Sequence, residues 1–205
     1  MSVLFCNNNS LSAITSIPAS ITGSALNLIS TQTASSSATI SFTSGIDSTY
    51  KEYIFKFINI HPATDDTHFS FNLSTDTGSN YNVTKTTTYF SPTQREDGSV
   101  TEFAYKTNQD LAQSTSFQGF NANDNMGNAN DDCLSGYLHL FNPSSTTFVK
   151  HFIAVTNHNS QSSPPYMINS FVAGYANTTS AVDAIQFKQS SGNIDSGTIK
   201  LYGVS

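Results

Sequence analysis

AVDAIQFKQSSGNIDSGTIKLYGVS, Ala181 to Ser205, alternates apolar and polar residues on either side of a turn-rich centre. Val182, Ala184 or Ile185, and Phe187 can share one face of the first arm; Ile199, Leu201 and Gly203 share one face of the second. A period of two puts such residues on one side of a pleated strand, so each arm reads as a strand with a buried face. Ser190 to Gly197 supplies the Ser, Gly, Asn and Asp that turns favour, and the segment is predicted to close as a β-hairpin.

Similar strand signals recur upstream. They cover Ala25–Ser30, Ala38–Thr43, Tyr50–Ile60, Phe69–Ser74, Tyr81–Phe90 and Val100–Tyr105, then Leu134–Phe141, Phe148–Thr156 and Met167–Tyr175. These runs are β-branched and aromatic, and none has a helical period; Asp110–Gln113 and Leu11–Ile21 offer a single helical turn at most. The chain is therefore predicted to be all-β, an antiparallel β-sandwich, jelly-roll-like, of about eleven strands. Residues 24–205 are expected to form one domain, within a chain of 205 residues that can bury one sizeable core. Residues 1–23 read as an N-terminal arm or lead-in. Pro18 and Gly23 interrupt it, while Leu11, Ile14, Ile17 and Ile21 require burial on the domain's flank or a neighbouring subunit, which makes them the assembly candidates.

Charged residues are only 11% of the chain, and Ser, Thr and Asn fill the polar positions. Such a surface stays hydrated without strong fields. Net charge is −6, and the eight Lys plus Arg are scattered singly, so no basic stripe exists to hold nucleic acid. No apolar window approaches the length of a membrane helix, which argues against membrane insertion. MSVLF lacks a basic flank and runs into Asn7–Asn9, so synthesis in the cytoplasm without a cleaved signal peptide is expected. Cys6 and Cys133 stand in no metal or redox spacing; a bridge between them is arithmetically open, and the asparagine run beside Cys6 counts against it.

Several segments carry local chemistry. STDTGSNY, Ser74 to Tyr81, matches the Asp-box pattern S-x-D-x-G-x-x-aromatic, in which the Asp accepts backbone N–H groups and Gly78 takes a conformation other residues resist. One copy without a blade repeat or an arginine cluster reads as a staple rather than a sialidase element. QGFNANDNMGNANDD, Gln118 to Asp132, shows no strand pattern, and its Asp124, Asp131 and Asp132 are the candidate ligands for calcium, with Asp65 and Asp66 as a second donor pair. The spacing fails the calcium-loop template, so a solvated or partner-contacting loop is the competing reading. A hairpin centred near Ser145 would set His139 opposite His151 on the face away from Leu138 and Leu140, a candidate metal or binding pair. His61 and His68, bracketing Asp65 and Asp66, read as a loop cap. Tyr89, Phe90, Phe117 and Phe120 are candidate contact aromatics. No nucleophile elbow, phosphate cradle or Cys–His arrangement is visible, Glu is scarce and Trp is absent, so no catalytic residue is assigned and no enzyme activity is expected.

Four ordered motifs carry a resemblance. YKEYIFKFINIHPATD within Thr31–Tyr81, the STDTGSNY turn, SGYLHLFNPSS at Ser135–Ser145 and SSGNIDSGTIKLYG within Thr179–Val204 resemble a family of structural proteins of tailed phages, especially those infecting marine bacteria and cyanobacteria. The resemblance implies a virion structural protein, tail-fibre-like or capsid-decorating, on the virion exterior. It implies other virion proteins as partners and no catalytic or ligand residues. Two functions follow as expectations: a non-enzymatic exterior part packed as a homo-oligomer, or a lectin-like module that binds a host-surface glycan, with calcium as an optional cofactor.

Overall fold

The computed structural model describes residues 25–122 and 124–205. Its strands are β1 (Leu26–Ser37), β2 (Ile40–Phe42), β3 (Glu52–Pro62), β4 (Phe69–Ser74), β5 (Lys85–Arg95), β6 (Thr101–Tyr105), β7 (Gln118–Gly119), β8 (Leu134–Phe141), β9 (Lys150–Asn159), β10 (Tyr166–Ala176), β11 (Ala184–Gln189) and β12 (Ile194–Val204). Each expected strand is present. Among the described residues the addition is the two-residue β7, and the one helical piece is a 3-10 turn at Thr107–Gln109. The assembly candidates Leu11, Ile14, Ile17 and Ile21, and with them Cys6 and the arm, lie outside the described residues.

The strands form an antiparallel sandwich of unequal sheets. The large sheet has the order β1-β12-β3-β8-β9-β10-β5-β6, and the small one β2-β11-β4-β7, an eight-against-four division where a jelly roll distributes eight strands over two sheets. Phenylalanine fills the space between. Phe42, Phe69, Phe71 and Phe187 from the small sheet meet Phe55, Phe57 and Phe152 from the large one, with Phe120 inserted from beyond β7; all eight are buried. Phe187 lies 5.5 Å from Phe55, 5.3 Å from Phe57 and 5.7 Å from Phe69, in tilted, edge-on and stacked geometries that aromatic pairs favour.

The closing segment corrects one expectation. β11 pairs with β2 and β4, whereas β12 pairs with β1 and β3, so the two arms lie in opposite sheets and Ser190–Asn193 crosses the sandwich. Alternation had identified the buried faces, since Val182, Ala184, Ile185, Phe187, Ile199, Leu201 and Gly203 are all buried. It cannot tell whether two such faces are neighbours in a sheet or look at each other across a core. Here the crossing is fixed by its neighbours. Thr67 Oγ1 and Ser190 Oγ are 2.9 Å apart, Ala63 N–H donates to Asn193 O at 3.0 Å, and Asn193 Nδ2 donates to Ser36 O at 2.9 Å.

The Asp-box staples a second crossing, from β4 to β5. Asp76 Oδ1 accepts the Asn80 N–H at 2.8 Å and the Ser74 hydroxyl at 2.6 Å, while Asn80 Nδ2 donates to Oδ2 at 2.7 Å. Gly78 sits at φ +81, where an added Cβ would meet the Tyr81 hydroxyl and the Thr43 methyl. The Ser74 hydrogen bond, with those from Asn80, holds the exposed Asp76 carboxyl down at about 2. A folded value below the unfolded one makes this contribution complete above pH 4 and removes it as pH falls toward 2. Asp76→Asn is expected to lose part of the acid-side slope in a stability-against-pH series. A variant whose slope matches wild type would show that the carboxylate does not contribute.

Candidate functional site

The segment singled out as strandless, Gln118–Asp132, is built into the domain. Gln118 and Gly119 pair with β4, Phe120 enters the core, Asn121 Oδ1 accepts the Phe69 N–H at 2.8 Å, and buried Met126 bridges to Thr67. Its far end is tied down by the two aspartates of the β3–β4 link. Asp65 Oδ1 accepts the Asn128 N–H at 2.9 Å, and Asp66 Oδ1 accepts amide N–H groups from Asn125 and Gln161, each at 2.8 Å. His61, 3.0 Å from Ala129 O, joins the same cap.

The same packing places the three aspartates singled out as calcium candidates. Asp132 is buried near Asp131 and Asp65, and burial followed by the Asp131 charge pushes its carboxyl up. Asp124 does not join them: its carbonyl accepts from His158 Nε2 at 2.7 Å, and burial raises its carboxyl as well. His158 is fully enclosed, and burial lowers it to about 4, so it stays neutral. Among the described residues no three His, Cys, Asp or Glu side chains gather as a metal set. Cys133 is a half-buried thiol, pushed up by its burial, beside Asn59, His61 and Asp195.

The histidine pair is displaced. β8 and β9 bring His139 opposite Ile153, and Leu140 opposite Phe152, so His151 lies one pair farther along. The expected common face is correct; the partner is not. The cause is the connecting loop, where Ser145 Oγ accepts the N–H groups of Thr147 and Phe148 while buried Lys150 donates to the carbonyls of Ser145, Phe148 and Thr178. That arrangement moves the hairpin centre by one residue and the pairing by two. His139 Nδ1 lies 2.7 Å from Glu52, and His151 packs 6.0 Å from Tyr175.

Those histidines stand at the border of the feature that organises the surface. Over β8, β9, β10, β5 and β6 the outward positions of the large sheet are Tyr137, His139, Phe141, His151, Ile153, Val155, Asn157, Met167, Asn169, Phe171, Ala173 and Tyr175, continuing through Thr86, Thr88, Phe90, Pro92, Gln94, Thr101, Phe103 and Tyr105. Not one is Asp, Glu, Lys or Arg. Phe103 is 72% exposed, Tyr105 54%, Ile153 48% and Met167 46%. One row crosses all five strands: Tyr137, Val155, Phe171, Phe90 and Tyr105 pair in succession, with Phe171 and Phe90 stacked at 4.8 Å. Ionic side chains border the face at β3 and β12, with Glu52, Lys56 and Lys200, and at the β6 edge, where Asp110 accepts from the Tyr105 hydroxyl and Glu102 lines the second depression.

At this end of the sandwich the polarity of the strands is partly inverted. The inward positions of β5, β9 and β10 include Thr87, Ser91, Thr93, Thr156 and Ser170, all buried under the segment that follows β6. Thr87 Oγ1 donates to Gln118 Oε1 at 2.6 Å, and Tyr89 Oη lies 2.6 Å from Ser170 Oγ. Hydroxyls thus face in, where the covering segment accepts from Thr87 and Thr156, while Phe90 and Phe171 face out.

Two open depressions flank the aromatic row. One, of about 520 Å³, lies over Ala173 between Phe141, His151, Ile153 and Tyr175; the other, of about 340 Å³, lies between Pro92, Phe103 and Met167. Gln113 Nε2 donates to Thr86 Oγ1 at 2.6 Å and to Tyr175 Oη at 3.2 Å, a polar rim on the first.

Of the predicted contact aromatics, Phe90 lies on this face. Tyr89 and Phe120 are core residues and reach no surface; Phe117 is half-buried under Lys188, whose Nζ is 4.2 Å from the ring centre. Sequence reading missed Phe103, Ile153, Met167 and Phe171. The available signal was adjacency: Tyr89–Phe90, Ile153–Ala154–Val155 and Phe171–Val172 are apolar on both faces, which a sheet with one solvated side does not need.

No family model matches this chain, and no curated protein and no solved structure matches it.

Proposed function

We propose that this chain is a non-enzymatic structural component of the exterior of a phage particle, held to a neighbour by the outer face of its large sheet. The observation that carries this reading is that uncharged aromatic face. Contiguous exposed apolar area on a monomer marks an interaction site, and here Phe103, Tyr105, Ile153 and Met167 are exposed along a row of rings that crosses five strands. The rest of the molecule is consistent with a scaffold: a phenylalanine core, crossings stapled by side-chain hydrogen bonds, and a mainly hydroxyl and amide surface. The phage motifs supply the particle.

Mass spectrometry of purified particles tests it. The chain should appear in fixed stoichiometry, in hundreds of copies for a capsid position and in tens or fewer for a tail position. Its absence from particles that assemble normally overturns the reading.

The depression over Ala173 favours a second reading, a glycan-binding module, because it combines ring faces with a hydroxyl and amide rim. A glycan array probed with the purified chain and with Tyr175→Ala decides this: binding lost in the variant supports it, and a blank array removes it.

A further inference from the structure

We infer that the occupant of this face is a second copy of the chain, packed large sheet against large sheet. The inference rests on the reading of the face as a packing surface and adds the identity of its partner. Charge is the first argument. The chain carries −6 overall, so two copies repel, and the surface on which they can approach with least repulsion is the one where Asp, Glu, Lys and Arg are missing from the outward positions of β8, β9, β10, β5 and β6. A face without ionic groups offers nothing to a charged partner such as nucleic acid, an anionic lipid or an acidic peptide. It complements another face like itself.

Size is the second argument. Five strands about 4.8 Å apart, averaging about 30 Å in length, cover on the order of 700 Å². A stable protein interface takes about 800 Å² from each partner, so a copy of this face comes close to the requirement. Shape is the third. Aromatic row and flanking depressions give ridges and hollows on one surface; the side chains that stand highest, such as Phe103 and Ile153, have apolar hollows of matching character on a partner copy. The hydroxyl-bearing interior behind β5 and β10 fits the same picture, since Phe90 and Phe171 of these strands stack on the sheet face that the small sheet does not cover.

The test is the mass of the purified full chain by sedimentation velocity, alone and with two substitutions at exposed positions, Phe103→Asp together with Ile153→Lys. Wild type is expected at twice its 22.1 kDa, and the double variant at the single mass with an affinity loss of about 100-fold or more. Thr88→Arg, at an exposed hydroxyl in the middle of the face, gives the same readout if the double variant fails to fold. A dimer that survives in the folded variants overturns the inference. A monomeric wild type overturns it too, and particles then separate the two claims. Variants excluded from particles leave the face as a contact for a different virion protein, whereas variants incorporated normally overturn the packing role of the face as well.

Discussion

Phe187→Ala is expected to lower the free energy of unfolding by about 3–5 kcal/mol, the range for removing a buried phenylalanine ring. The size of the effect follows from where the ring sits. Phe187 has no exposed surface, it stands on β11 in the middle of the small sheet, and its ring spans the gap to Phe55 and Phe57 on β3 of the large one. Alanine would leave a hole bounded by Phe42, Phe55, Phe57, Phe69 and Phe120, rings held by both sheets that cannot close in without moving a strand. A domain of this size has about 5–15 kcal/mol in all, so the variant should unfold at much lower urea. Phe148→Ala is the control. That ring is 67% exposed in the β8–β9 loop and should change stability by no more than about 0.5 kcal/mol. Equal midpoints for the two variants would mean that Phe187 does not join the sheets.

The strands were legible in the chain because a buried face imposes a period of two whatever the partner strand is. Phe69–Ser74 and Leu134–Phe141 have the bounds their sequences predict. Pairing was less legible. Ala181–Ser205 and Ser74–Tyr81 have the composition of hairpin turns, yet both cross between sheets, because what decides is the ring on the far side of the core rather than the turn itself. For His139 and His151 the error had a different source, a loop whose carbonyls converge on the Lys150 ammonium. A lysine that terminates a loop from inside the fold leaves no periodic mark. The acidic residues were legible only by type: Asp65 and Asp66 read as oxygen donors, and the fold shows which N–H groups of the Gln118–Asp132 segment and of Gln161 they accept. The packing face could have been suspected from Phe171–Val172 and its neighbours, but naming it required the sheet order.

Lys85→Met is expected to remove a rise in stability that the wild-type protein shows between about pH 7 and pH 10. Lys85 begins β5 and has no exposed surface; its Nζ donates to Asn72 Oδ1 at 2.5 Å and to Val83 O at 2.9 Å, and among the described residues no carboxylate lies within ion-pairing distance of it. Burial draws its pKa down from 10.5 to about 7. Between those values the unfolded chain holds a proton that the folded chain has released, so stability increases with pH across the window and lies flat at its lower level below pH 7. One proton is worth about 1.4 kcal/mol per pH unit, which sets the rise at up to about 4 kcal/mol. Lys150, which burial also lowers, adds a contribution of the same sign, so the quantity to measure is the difference between wild type and variant. Methionine fills the volume of the lysine stem without a charge to desolvate, and Asn72 Oδ1 keeps the Leu73 N–H at 2.8 Å. Urea midpoints at pH 6, 7, 8, 9 and 10 should therefore show the wild-type value rising relative to the variant's from pH 7 to pH 10. Two parallel curves would show that the ammonium stays charged inside the fold, its charge carried by the two oxygens it bonds.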